Sequence, residues 1–147
     1  MMEITLPPKG SLEAPPCSFA ALMELCEINY IYMRRLAPDL RTGFNSGGKV
    51  SVSRHGVELC LEVLECSRYT TTTLLTHRFQ GADGNREAIP DLTVRVYHDA
   101  RVAEVIEMGG GGARYASLSL AKRWAENRFL NRWLLFSLGE GHSFDLG

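Results

Sequence analysis

Nowhere does this sequence approach the roughly 18 consecutive apolar residues that a membrane span needs, so a helical membrane protein and a membrane partner are excluded as readings. It has no excess of charge either. Sixteen Lys and Arg stand against seventeen Asp and Glu, a formal net charge of −1 with a sequence pI near 6.4. That balance denies it the electrostatic footprint of a polyanion binder and gives a nucleic-acid partner no support. The stretch from Met1 to Pro16 carries acids and four prolines but no apolar run, so it lacks the form of a secretory leader. A cytoplasmic protein is expected. The four cysteines, Cys17, Cys26, Cys60 and Cys66, contain no C-x-x-C pair and no zinc-like spacing. They read as free thiols, mostly buried, because a free cysteine packs as a small hydrophobe. A reactive thiol would need a neighbour that lowers its pKa, and none is evident.

Catalytic and cofactor signatures are missing as well. There is no G-x-S-x-G elbow, no Walker A loop and no H-E-x-x-H. The glycine run Gly109 to Gly112 lacks the strand–turn–helix setting of a dinucleotide fingerprint. His55, His77, His98 and His142 are scattered, with no pair at ligand spacing. Neither a metal nor another cofactor is expected.

What remains is an ordinary globular composition over 147 residues, 45% hydrophobic and 22% charged, enough for one domain with a sizeable core. Residues 1–17 form an extended, Pro-punctuated lead-in of the kind in which disorder concentrates, and residues 18–147 the domain. Ser18 is placed to cap a first helix. Phe19, Leu22, Met23, Cys26, Tyr30 and Met33 then recur on one helical face. Pro38 disfavours helical geometry in the residue before it, so the helix spans about Phe19 to Leu36.

After a Gly, Asn and Ser-rich loop, Thr42 to Gly48, the period falls from 3.6 to 2. Val50 and Val52 alternate with polar residues, and Val57, Leu59, Leu61 and Val63 alternate with Glu58, Cys60 and Glu62, the pattern of a strand with one wet face. Tyr69 to Phe79 holds four consecutive threonines, which suit a pleated strand. Gly81 to Asp91 reads as a long loop. Leu92 to His98 and Arg101 to Glu107 flank Asp99-Ala100 as a hairpin, in a register that sets Arg95 opposite Glu104 and His98 opposite Arg101. Ser117 or Ser119 can cap a last helix, about Leu120 to Leu138, ended by Gly139. The predicted class is α+β: a roughly five-stranded, mostly antiparallel meander flanked by an N-terminal and a C-terminal helix, both on one face. The last helix is apolar around most of its C-terminal half, which calls for the sheet on one side and either the first helix or a second subunit on another.

Three polar groupings could carry chemistry. Tyr97-His98-Asp99, with Arg95, Arg101 and Glu104 nearby, offers an imidazole beside carboxylates, although neighbours on a strand point to opposite faces and Asp99 is a favoured turn residue. Ser67-Arg68-Tyr69-Thr70 could hold a phosphate or carboxylate through a planar guanidinium, or could simply be a turn arginine packed on an edge tyrosine. Lys122, Arg123, Arg128 and Arg132, among Trp124 and Asn127, make a basic helix side that could meet an acidic partner or just be solvated.

At these residues the chain resembles the YqiB-like proteobacterial family of unknown function (DUF 1249). The matching segments are Met23-Glu24-Leu25-Cys26-Glu27-Ile28-Asn29-Tyr30 with Arg34-Arg35-Leu36, Ser67-Arg68-Tyr69-Thr70-Thr71, the run Pro90 to Ala100 with Val102-Ala103-Glu104-Val105, and Asn127-Arg128-Phe129-Leu130 with Trp133-Leu134. The resemblance implies a small stand-alone bacterial cytoplasmic protein, with genes of nucleotide metabolism as neighbours and no established activity. The sequence departs from the family at its proline-bearing lead-in and at the glycine run.

Three functional readings follow. The first is a binding module for a small anionic molecule, nucleotide-related or not, or for a partner segment, using Arg68, Tyr69, Arg95, Tyr97, His98, Asp99 and Glu104. The second is an enzyme with His98 as base and Arg68 or Arg95 holding an oxyanion, which requires these groups in one cleft. The third is a structural protein, homodimeric through the C-terminal helix.

Overall fold

The computed structural model describes residues 18–40, 48–80, 86–88, 91–109 and 119–144. The first helix, α1 (Phe19–Leu36), starts where its capping residue predicts: Ser18 is extended and its Oγ accepts from Ala21 N at 3.1 Å. It stops at Ala37, forced out of helical geometry by the following proline. Leu22, Cys26, Tyr30 and Met33 are buried as their spacing predicts, but Phe19 is exposed and sits beneath the guanidinium of Arg123 instead.

Six strands follow: β1 (Gly48–Val52), β2 (Glu58–Cys66), β3 (Thr70–Gln80), β4 (Arg86–Ala88), β5 (Leu92–Tyr97) and β6 (Val102–Met108). Five of them lie side by side in chain order, β1-β2-β3-β5-β6, every pair antiparallel. The sixth, β4, falls inside the stretch expected to be loop. At eleven residues β3 outruns β5, and β4 pairs with its far end from Arg78 to Gln80, supplying main-chain partners that β5 does not reach. The last helix, α2 (Leu120–Gly139), is capped by Ser119, whose Oγ accepts from Lys122 N at 3.1 Å. The left-handed residue that ends it is Gly141, not Gly139. Gly141 N donates to Leu138 O and His142 N to Ser137 O, which closes the last turn and carries the chain back toward the sheet. No helix among the described residues is long and apolar enough to cross a membrane.

Register decides which side of the sheet is core. Opposed residues share a face, so Leu59 with His77, Leu61 with Leu75, Val94 with Val105 and Val96 with Ala103 all turn toward the helices. The same rule corrects the expectation for β1. Ser51 opposes Leu59 and takes the inner face, while Val50 and Val52 oppose Cys60 and Glu58 on the outer one, 59% and 61% exposed. The five residues between β1 and β2 fix that register, and a period of 2 read from sequence cannot say which set points inward. It also places Cys60 on the outer face, half-buried. Cys66, at the strand's end, is exposed, which leaves Cys26 as the buried thiol of the three described.

The core joins Met33, Leu36 and Leu40 from the α1 end, Leu59, Leu61, Leu75, Leu92 and Val94 from the sheet, and Leu130, Trp133 and Leu134 from α2. Each fully buried leucine contributes about 1.5–3 kcal/mol relative to exposure. A polar seam fixes the helices against the edge strand. Asn127 Oδ1 accepts from Val105 N at 2.9 Å, satisfying an edge amide that would otherwise be bare. Asn29 Nδ2 reaches Asn127 O at 3.1 Å, and Asn131 Nδ2 donates to Asn29 Oδ1 at 3.1 Å. Leu130, Trp133 and Leu134 of α2 are thus covered by the sheet and α1, while Phe129 is exposed.

Candidate functional site at the turn end of the sheet

Because β3 pairs with β5, Thr70 opposite Tyr97, the β2–β3 and β5–β6 turns lie side by side at one end of the sheet. The Arg-Tyr-Thr-Thr and Tyr-His-Asp segments therefore converge: His98 N donates to Tyr69 O at 2.8 Å. Their side chains do not. His98 is buried, its Nε2 2.8 Å from Thr71 Oγ1 on the inner face, with Cys66 Sγ 3.8 Å from the same hydroxyl. Arg95 occupies the outer face, its Nε donating to Thr72 Oγ1 at 3.1 Å. Thr71 and Thr72 are successive strand residues, so the groups they hold lie on opposite sides. Tyr97, opposite Val102, packs with it against Leu22 and Cys26 of α1, and Glu104, opposite Arg95, reaches Arg123 of α2. Arg68 is exposed and its guanidinium rests 5.3 Å from the Tyr69 ring centroid, the packed turn arginine among the two sequence alternatives. Asp99 is an exposed turn residue. His98, Arg68 and Arg95 therefore share no cleft, and the catalytic constellation built on them does not assemble.

The Arg95–Glu104 register is observed, but the two do not pair. Glu104 Oε2 accepts from Arg123 Nη2 at 2.7 Å and Nε at 2.9 Å, drawing α2 over the edge of β6. That contact takes up Arg123, one of the four cations of the basic helix side read from sequence, while Arg128 and Arg132 lie close enough to act on each other. Beneath it the Cys26 thiol is pushed up to about 12, first by burial and then by Glu104.

The concave, solvent-reachable feature at this end lies one step further along the chain. The β5–β6 turn runs over four residues, 98–101, where two were expected. Arg101 N donates to Tyr97 O at 2.8 Å, and Arg101 adopts φ 58°. The turn's last two residues face α1 across a cleft of about 330 Å³ lined by Glu27, Tyr30, Ile31, Ala100 and Arg101. Arg101 and Glu27 both line it, yet neither makes an ion pair among the described residues. Tyr30 OH accepts from Arg34 Nη1 at 3.2 Å, which leaves its own proton available to an acceptor. Ile31, Ala100 and the Tyr30 ring supply an apolar wall. Sequence reading missed this set because a cleft between a helix and a turn comes from packing. The one legible signal was the run Glu27, Tyr30, Ile31 and Arg34 at helical spacing. No group of three or more His, Cys, Asp or Glu among the described residues could hold a metal ion.

Fold and site together define a class: a small α+β protein with one open antiparallel sheet, two helices on its inner face and a cleft beneath a strained hairpin turn. Residues 32–143 match the family described as protein of unknown function (DUF1249), and the chain belongs to that family. It is 34% identical over 131 residues to the uncharacterized protein YqiB of Escherichia coli K12, covering 84% of this chain and 90% of the relative. The same identity and coverage hold for YqiB of the O6:H1 and O157:H7 strains. No solved structure matches the chain.

Proposed function

We propose that this protein is a binding module for a small anionic molecule, seated in the cleft between α1 and the β5–β6 turn. The observation that carries the reading is Arg101. Its backbone is left-handed, which glycine adopts freely and an L-residue only at about 1–2 kcal/mol. A strained residue at a turn is motivated by function when its side chain lines a cleft, and this one brings to it a guanidinium with no ion pair among the described residues. A planar guanidinium takes a carboxylate or phosphate through two parallel hydrogen bonds, and the Tyr30 hydroxyl offers a third donor. Glu27 on the same wall favours a ligand that also carries a hydroxyl or amino group. The volume sits at the lower end for metabolite sites.

Thermal shift with inorganic phosphate, a nucleoside monophosphate, a sugar phosphate and a hydroxy-carboxylate tests the reading. A ligand at about 100 times its Kd adds about 2.7 kcal/mol. The expected result is a shift with at least one of these anions that Arg101→Gly abolishes while the variant stays folded. No shift across the series, or a shift indifferent to Arg101→Gly, would sink it.

A further inference from the structure

At the opposite end of the sheet, the C-terminal half of α2 is fastened by two buried imidazoles that the cleft does not use. Trp133 Nε1 donates to His77 Nε2 at 2.9 Å. An indole N–H can only donate, so His77 Nε2 must present a lone pair and carry no proton. Ser137 Oγ lies 3.0 Å from the same nitrogen and donates to Trp133 O at 2.8 Å. The turn at Gly141 folds the chain back so that His142 stands beside His77, ring centroids 5.9 Å apart. His142 Nδ1 is 2.9 Å from Ser51 Oγ on β1. Its Nε2 is buried with no hydrogen-bond partner among the described residues.

Glu140 at the end of α2 is the acid facing both rings, and it is already engaged by His55 Nδ1 of the β1–β2 turn at 3.1 Å. Leu59 opposes His77 from β2, and Phe136 meets it edge-on from α2, neither with charge. A proton on His77 Nε2 would confront the indole N–H, and a charge on either ring would face the other. Burial, then His142, accordingly hold His77 down to about 3; burial lowers His142, with Glu140 opposing. The N-terminal half of α2 is fastened differently, by the amides of Asn29 and Asn127 and by the Arg123–Glu104 ion pair.

We propose that this seam is an acid-released latch: protonation of His77 breaks the Trp133 contact, and a proton on His142 as well sets two buried charges side by side. Protonation frees the C-terminal half of α2 with residues 140–144 from β3 and β1, while the amide-held half of α2, β5, β6 and the turn stay in place. Amide hydrogen exchange, resolved by segment and corrected for intrinsic rates from pH 7 down to pH 4.5, tests it on the full chain. The opening constant of residues 131–138 is expected to rise ten- to a hundredfold per pH unit, for one or two protons taken up, with β5 and β6 the better protected at every pH. His77→Gln keeps an acceptor for Trp133 without a titrating ring and should flatten the rise. His142→Gln should hold it to tenfold or less and serves if the first variant fails to fold. Loss of protection in β5, β6 and residues 131–138 at one common pH would overturn the latch. A folded His77→Gln as steep as the parent would overturn it too, as would a His142→Gln steeper than tenfold.

Discussion

Asn29 and Asn127, 98 positions apart in the chain, meet across the buried seam between the helices, Asn29 Nδ2 donating to Asn127 O at 3.1 Å. Asn127 in turn spends its own amide on Val105 N and Arg123 O. Asn127→Ala strands the buried Val105 N–H and should cost about 1–3 kcal/mol in urea unfolding. Asn29→Ala leaves Asn127 in place on the edge amide and should cost less. The reverse order would show that the helix–helix contact, not the edge amide, is the stabilising link.

Arg101→Gly relieves a strained backbone worth about 1–2 kcal/mol and gives back about 0.5–1 kcal/mol in unfolded-chain entropy. Urea unfolding should find this variant equal to the parent or up to about 1.5 kcal/mol more stable, although a guanidinium has been deleted. Arg101→Ala keeps the strain and should show no such gain.

Thiol labelling separates the cysteines by position. In a Cys17→Ser background, Cys66 should react with an aromatic disulfide reagent rapidly and Cys60 more slowly. Cys26, buried and with its thiol pushed up to about 12, should stay silent at pH 8 until urea unfolds the chain. Early reaction of Cys26 would mean that the α1–β6 contact opens readily in the native state.

Stability should fall with acid, and the sign follows from His77. Its folded pKa, about 3, lies below the ordinary 6.5, so the unfolded chain binds the proton first. The stabilisation is complete above pH 6.5 and is lost as pH falls toward 3, at up to about 1.4 kcal/mol per unit. Urea midpoints at pH 7 and pH 5 measure it, and His77→Gln should narrow the difference between them.

The candidate site was legible only in part. The sequence motifs Arg68-Tyr69-Thr70-Thr71 and Tyr97-His98-Asp99 do converge on one end of the sheet, because strand pairing follows chain order. Which of their side chains face together depended on the parity of each strand position, and that parity set His98 against Thr71 and Arg95 against Thr72. Arg101 followed in the next two positions but gave no sign of a left-handed backbone, since arginine carries no preference for one. The histidine seam was less legible still: His77 and His142 lie 65 residues apart by number and meet only because α2 crosses the sheet.

By itself, the sequence determined the two helices, the capping serine of the first, the stop before Pro38 and the five main strands in chain order. These depend on neighbours within a few residues: an apolar period, a hydroxyl at an N-cap, a proline without an amide hydrogen. Only tertiary structure decided that Val50 and Val52 face out, that β4 exists, that Glu104 belongs to Arg123, and that a cleft opens beside Arg101. Register, edge coverage and the approach of α1 to a turn are set by contacts between distant segments, which no local period encodes.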